Sequence, residues 1–220
     1  MSSDKTLDKV KKLRELTGVG FKDCKNAIDE NGGDIEKSIE FLRKKGIAKS
    51  AKRMGRTAAE GLICIYENQN KFSMIEINSE TDFVAKNSEF VKFAEEVSRV
   101  ALDTSGKIED LLKSEMNNKK KVEENLIDLI SKMGEKITIR KNVCLANDKL
   151  LNFSYIHASI KKNIGKIGVL LSIETEIDKN NVMSLGKQLA MQIASLSPLA
   201  IDKEGLDQNI LKKEKEIITE

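Results

Sequence analysis

The sequence predicts an α+β protein: a small three-helix unit, then a core of two hairpin-plus-helix subdomains with antiparallel sheets. Three observations carry this. Between residues 5 and 46, apolar residues recur at helical spacing in three short segments broken by glycines. From Gly61 the period changes to that of strands, and a long amphipathic helix follows. The same hairpin-then-helix order returns between Phe153 and Leu196, a weak internal repeat. Hairpins followed by helices on one face favour antiparallel layers over a doubly wound parallel sheet.

In chain order, the first helix carries Leu7, Val10 and Leu13, the second Phe21, Cys24, Ala27 and Ile28, and the third Ile35, Ile39 and Leu42. Thr17-Gly18-Val19-Gly20 separates the first two, Asn31-Gly32-Gly33 ends the second, Asp34 caps the third and Gly46 closes it. Phe21 has two readings: it completes the thin core of this unit, or it is an exposed docking residue. Residues 47–60 form a basic linker with Lys49, Lys52, Arg53 and Arg56, read as solvated and partly helical.

Leu62-Ile63-Cys64-Ile65-Tyr66 suits a strand buried on both faces, Glu67 to Asn70 a turn, and Phe72 to Ile77 the returning strand. Phe90, Phe93, Ala94, Val97 and Ala101 mark the long helix, Ile108 to Lys113 a short one, and Val122, Leu126, Leu129, Ile130 and Met133 another that stops at Gly134. Ile137, Ile139, Val143 and Leu145 alternate as a half-buried strand. The second hairpin places Phe153, Tyr155 and His157 on one face, turns at Lys162-Asn163-Ile164-Gly165, and returns through Ile167, Val169, Leu171 and Ile173. Val182 to Leu196 is a helix ended near Pro198, and Leu206 to Glu220 a charged helix with a thin apolar stripe of Ile210, Leu211 and Ile217.

Composition narrows the function classes. A net charge of +3 in 220 residues implies no strong nucleic-acid field, and 4% aromatic content without Trp gives no base-stacking platform. No apolar run approaches membrane-spanning length, and the charged N-terminal residues (Asp4, Lys5, Asp8, Lys9) show no secretory signal. Cys24, Cys64 and Cys144 are far apart and form no Cys-x-x-Cys pair, which favours buried thiols in a reducing compartment. With one histidine, His157, neither a metal site nor a catalytic dyad is expected. No nucleotide-binding or hydrolase motif is present; Gly165-Lys166 is followed by Ile167, not the Ser or Thr a phosphate loop needs. The chain reads as a non-enzyme without a cofactor.

One stretch stands out: Glu76-Ile77-Asn78-Ser79-Glu80-Thr81-Asp82-Phe83-Val84-Ala85-Lys86. Thr81 and Asp82 suit a helix start, where a side-chain oxygen accepts free backbone N–H groups. Phe83 is the odd residue there. Either it folds back as a staple against its own helix, or it is a wedge presented to a partner.

That stretch resembles a signature of the elongation factor Ts family, guanine-nucleotide exchange factors of elongation factor Tu. Leu13 to Ile28 resembles the family's other signature, where it has a ubiquitin-associated-like three-helix domain. Met133 to Arg140, Tyr155-Ile156-His157, Ile167-Gly168-Val169-Leu170 and Ala190 to Ala194 are similar to further family segments. The resemblance implies docking on the G domain of elongation factor Tu through Arg14, Phe21 and Lys25. It implies that Asp82 and Phe83, flanked by Thr81 and Val84, enter between two helices of that domain and disturb its magnesium site. Met133, Gly134 and His157 match further contact positions. The implied division is residues 1–46 for docking, 47–60 as linker, 61–148 and 149–204 as the two core subdomains, and 205–220 as the start of a helical arm. Implied partners are GDP-bound and nucleotide-free elongation factor Tu, in a bacterial or organellar cytoplasm, with no direct nucleic-acid or membrane contact. Met133 stands where the family commonly has Ile, and Phe21-Lys22 replaces a commonly Met-rich loop. Longer members continue past the position of Glu220. A different class, an adaptor whose three-helix unit binds a ubiquitin-like or helical partner, needs only the first module.

Overall fold

The computed structural model describes residues 2–147 and 149–219, with side chains for 6–147 and 149–218. Asp4, Lys5 and Glu220, which entered the reading of the two termini, lie outside the residues whose side chains are described.

The N-terminal unit is three helices, α1 (Ser2–Thr17), α2 (Phe21–Glu30) and α3 (Ile35–Arg53). Val10, Leu13, Cys24, Ala27, Ile28 and Leu42 form its buried core. The Asp34 carboxylate caps α3 by accepting from the Lys37 N–H at 3.0 Å. Leu7, Phe21 and Ile39, expected on the apolar faces, are exposed. Phe21 therefore does not complete the small core.

Gly46 does not close α3. The helix runs on through the first half of the expected linker to Arg53. A Cβ at Gly46 would stand 2.5 Å from Ser131 Oγ, so the glycine permits close approach to α7 (Val122–Met133). Arg53 fastens the same contact by donating to the Ile130 carbonyl at 3.1 Å, and Arg43 pairs with Glu124. An open cleft of about 450 Å³ remains between the unit and the core, bordered by Leu16, Ile39, Phe93, Met116 and Leu129.

In the core, β1 (Glu60–Asn68) and β2 (Lys71–Ser79) form the first hairpin, from Glu60 opposite Ser79 to Asn68 opposite Lys71. A one-turn helix α4 (Asp82–Ala85) and the long α5 (Ser88–Ala101) follow, then α6 (Ile108–Lys113), α7 and β3 (Ile137–Leu145). β3 pairs antiparallel with β2 and carries a register shift at Glu76/Ile77. The α5 face expected from the sequence (Phe90, Phe93, Ala94, Val97, Ala101) is buried against Leu62, Ile75 and Ile77. Each fully buried large apolar side chain there contributes about 1.5–3 kcal/mol.

The second hairpin departs from expectation. β4 (Leu151–His157) pairs with β6 (Ile167–Ile173), but the intervening Ile164 and Gly165 are not merely a turn. They form β5 (Ile164–Gly165), which adds to the free edge of β1, giving the order β3-β2-β1-β5. Ile164 is the cause: it is 1% exposed and belongs to the main core, so burying it pulls the turn onto the first sheet. α8 (Lys179–Leu196) covers β4 and β6, with Gly186 against the Phe153 ring, and α9 (Gln208–Thr219) leaves Ile210 and Ile217 exposed.

Candidate functional site

The strand registers bring several chain segments to one end of the core. Ser79, the last residue of β2, lies opposite Glu60 at the start of β1 and opposite Ile137 at the start of β3. The loop after β2 therefore sits beside the turn that joins α7 to β3. His157 ends β4 opposite Ile167, and its carbonyl accepts from the Lys166 N–H at 3.2 Å. The Lys166 ammonium in turn reaches Glu60 Oε2 at 2.8 Å and the Gly61 carbonyl at 3.1 Å. Thr81–Val84, Met133–Gly134 and His157 thus share one rim.

Thr81 caps α4, its hydroxyl accepting from the Val84 N–H at 3.4 Å. Asp82 does not cap. It is the first helical residue, and its carboxylate takes the Lys86 ammonium at 2.6 Å. The single turn sends neighbouring residues to opposite sides. Val84 and Ala85 are buried in the main core, whereas Phe83 is 82% exposed. Phe83 is not a staple against its own helix.

Two carboxylates tie this loop to the α7–β3 turn. Glu135 accepts from the Thr81 N–H at 3.0 Å and from the Thr81 hydroxyl at 2.7 Å. Glu80 reciprocates by accepting the Lys136 N–H at 2.6 Å, with Arg56 at 3.2 Å. The turn itself depends on Gly134, whose left-handed φ of +78° terminates α7. Met133 before it is half-buried against the core, and Gly134 is exposed.

The ionised forms are favoured here. The Lys136 N–H, followed by the Arg56 guanidinium, holds the Glu80 carboxyl below its ordinary range. Lys86 does the same for Asp82, with a further contribution from the charge of Lys166, and Asp82 raises Lys86. His157 is exposed, with Nδ1 3.1 Å from the Tyr155 hydroxyl.

Arg14, Phe21 and Lys25 are all exposed, on the last turn of α1 and one face of α2. They lie on the helical unit, whose α1–α2 loop packs at Gly18 against Lys132, next to Met133. Glu135, Glu80 and Lys166 were not singled out from the sequence as site residues. Their partners lie 54, 56 and 106 residues away, so no local pattern signals them. Among the described residues, no group of His, Cys, Asp or Glu is placed to hold a metal ion, and no helix is long and apolar enough to cross a membrane.

The sequence profile of the family described as Elongation factor TS matches residues 80–220, a span that opens on this loop. The elongation factor Ts of Methylorubrum populi is 43% identical over 212 residues, covering 96% of this chain and 69% of that protein. The elongation factor Ts of Azorhizobium caulinodans is 42% identical over 212 residues with the same coverage. That of Parvibaculum lavamentivorans is 39% identical over 214 residues, 97% of this chain and 70% of that protein. The α+β fold and these matches define a translation elongation factor. The chain belongs to the elongation factor Ts family.

Proposed function

We propose that this chain is a guanine-nucleotide exchange factor that binds elongation factor Tu in its GDP-bound and nucleotide-free forms and speeds GDP release in the cytoplasm. The observation that carries this reading is Phe83: a large apolar ring 82% exposed on a capped turn whose neighbours are buried. An exposed ring on so firmly held a loop suits insertion into a partner. Asp82 beside it brings a fixed negative charge toward a site that holds magnesium and phosphates. Repulsion between that charge and the phosphates, with displacement of the metal's supports, weakens the bound nucleotide.

One wedge is not enough. Accelerating GDP release by about 10³–10⁵ requires lowering the barrier by ~4–7 kcal/mol. Burying one Phe contributes about 1.5–3 kcal/mol. The remainder falls to a broad interface: Met133, Gly134 and His157 along the same rim, and Arg14, Phe21 and Lys25 docking the helical unit on the G domain. In this division, residues 1–46 dock, the two core subdomains spread over the GTPase, and residues 205–220 begin a helical arm. Linkage makes the effect mutual, so the factor weakens GDP by the ratio that GDP weakens the factor. No covalent step is involved, so the activity is exchange, not enzymatic turnover.

The test is stopped-flow release of a fluorescent GDP from elongation factor Tu with and without this chain. Strong acceleration is expected, and an unchanged release rate would overturn the reading.

A further inference from the structure

We infer that Glu135 is a positioning residue for the Phe83 wedge, coupling the α7–β3 turn to the exchange loop through Thr81. The inference rests on the exchange reading above and deepens it.

The Glu135 carboxylate takes both donors of one residue, the Thr81 N–H at 3.0 Å and the Thr81 hydroxyl at 2.7 Å. A hydroxyl has one proton. With that proton committed to Glu135, an oxygen lone pair is left for the Val84 N–H at 3.4 Å. Glu135 thus orients the rotor that makes Thr81 the cap of α4. Helix α4 has only four residues and little stability of its own, so the direction of Phe83 depends on that cap and on the burial of Val84 and Ala85. The link also has a second strand. Glu80 accepts the Lys136 N–H at 2.6 Å, so two neighbouring residues on each side are cross-tied. The tie joins two groups of contact positions of the proposed interface: Asp82 and Phe83 lie just after Thr81, and Met133 and Gly134 just before Glu135. It holds the two patches in register before the partner arrives, which lowers the ordering cost of docking.

A glutamine would keep one acceptor for the Thr81 hydroxyl but set its amide NH₂ against the Thr81 N–H, so it restores half of the clamp. The experiment uses the full chain as wild type, Glu135→Gln, Glu135→Ala, Phe83→Ala and the double variant, each checked for an unchanged circular-dichroism spectrum. Amide hydrogen exchange by NMR reads the clamp without any partner. In Glu135→Ala the Thr81 amide exchanges about tenfold faster or more, while the Lys136 amide, held by Glu80, keeps its protection. Stopped-flow GDP release reads the function. Glu135→Ala lowers the plateau release rate about tenfold and Glu135→Gln lowers it less. In the Phe83→Ala background, adding Glu135→Ala changes nothing further, because its effect runs through the wedge. Unchanged Thr81 exchange in Glu135→Ala, or losses that simply multiply in the double variant, would overturn the positioning role. A wild-type chain that leaves GDP release unaltered would instead overturn the exchange reading and with it any role of the clamp in exchange. The Thr81 amide would still report whether the clamp forms.

Discussion

Lys86 places its ammonium 2.6 Å from the Asp82 carboxylate, one turn along the helix that carries Phe83. The acid precedes the base at i,i+4, the orientation that suits the helix dipole. Lys86 is exposed and Asp82 half-buried at the surface, so the pair adds little to stability. Its consequence is geometric. It fixes where the charge of Asp82 stands relative to the Phe83 ring in the unbound chain, and a partner that takes Asp82 must compete with Lys86 for it.

Asp82 is expected to titrate below its ordinary value of 3.8, because Lys86 favours the carboxylate. A depressed folded value means that the ion pair is fully present at neutral pH and is lost only as pH falls through that lowered value. Lys86, raised above 10.5, keeps the pair intact on the alkaline side. NMR titration of the Asp82 carboxyl checks this. The midpoint should rise in Lys86→Met, and an unmoved midpoint would show that the pair does not persist in solution.

Phe83→Ala should leave the fold intact, with a stability change within about 0.5 kcal/mol, because the ring makes few internal contacts. The same change should slow catalysed GDP release by about 10- to 100-fold, the factor that corresponds to burying one Phe at an interface. Thermal melting and stopped-flow release, run on the same preparation, separate the two effects. A large drop in melting temperature would return Phe83 to the core.

The contrast between Phe83 and Ile164 shows what the sequence made legible. The α5 face, the long strands and the helix ends at Gly18, Gly32 and Gly134 were legible locally, because each depends on residues within one turn or one strand. The stretch around Phe83 was visible because a large ring between a cap and charges breaks the local rule, although its direction required coordinates. Ile164 looked like part of a turn, and its place on the edge of β1 depends on a core about 100 residues earlier in the chain. Gly46 had the local signature of a helix stop, but its reason is Ser131 on another helix. The Glu135–Thr81 clamp was hidden for the same reason: hydrogen bonds between residues far apart leave no periodic trace.

Burial pushes the Cys64 thiol up to about 11, with the nearby Glu95 carboxylate adding to the rise. The thiol donates to Ser98 Oγ at 3.4 Å in the core behind β1. At pH 8 the thiolate fraction is therefore very small and the sulfur is inaccessible. Iodoacetamide at pH 8 should leave Cys64 unmodified in the native chain under conditions that fully alkylate it in denaturant, with peptide mass mapping as the readout. The sign for stability follows. The unfolded thiol ionises near 9.0 and the folded one near 11, so the native state loses stability as pH rises between them.

Gly61, the second residue of β1, lies beside the rim that carries Lys166 and the Thr81–Val84 loop, and it is expected to tolerate no side chain. Its φ of +144° lies where L-residues are strained, and a Cβ there would stand 2.1 Å from the Ile77 carbonyl oxygen and 2.7 Å from Asn78 Cα. Both obstacles are backbone of the paired strand and cannot rotate away. Gly61→Ala must separate the first hairpin at the end that positions Thr81, costing about 3 kcal/mol or more. At roughly 2–4 °C per kcal/mol for a chain of this size, the melting temperature should fall by about 6–12 °C. Gly55→Ala is the control. No atom lies within 4 Å of the added Cβ, so its melting temperature should stay within about 2 °C of wild type. Equal melting temperatures for the two variants would mean that β1 and β2 do not approach so closely at this end. The shared rim would then have to be redrawn around a looser hairpin.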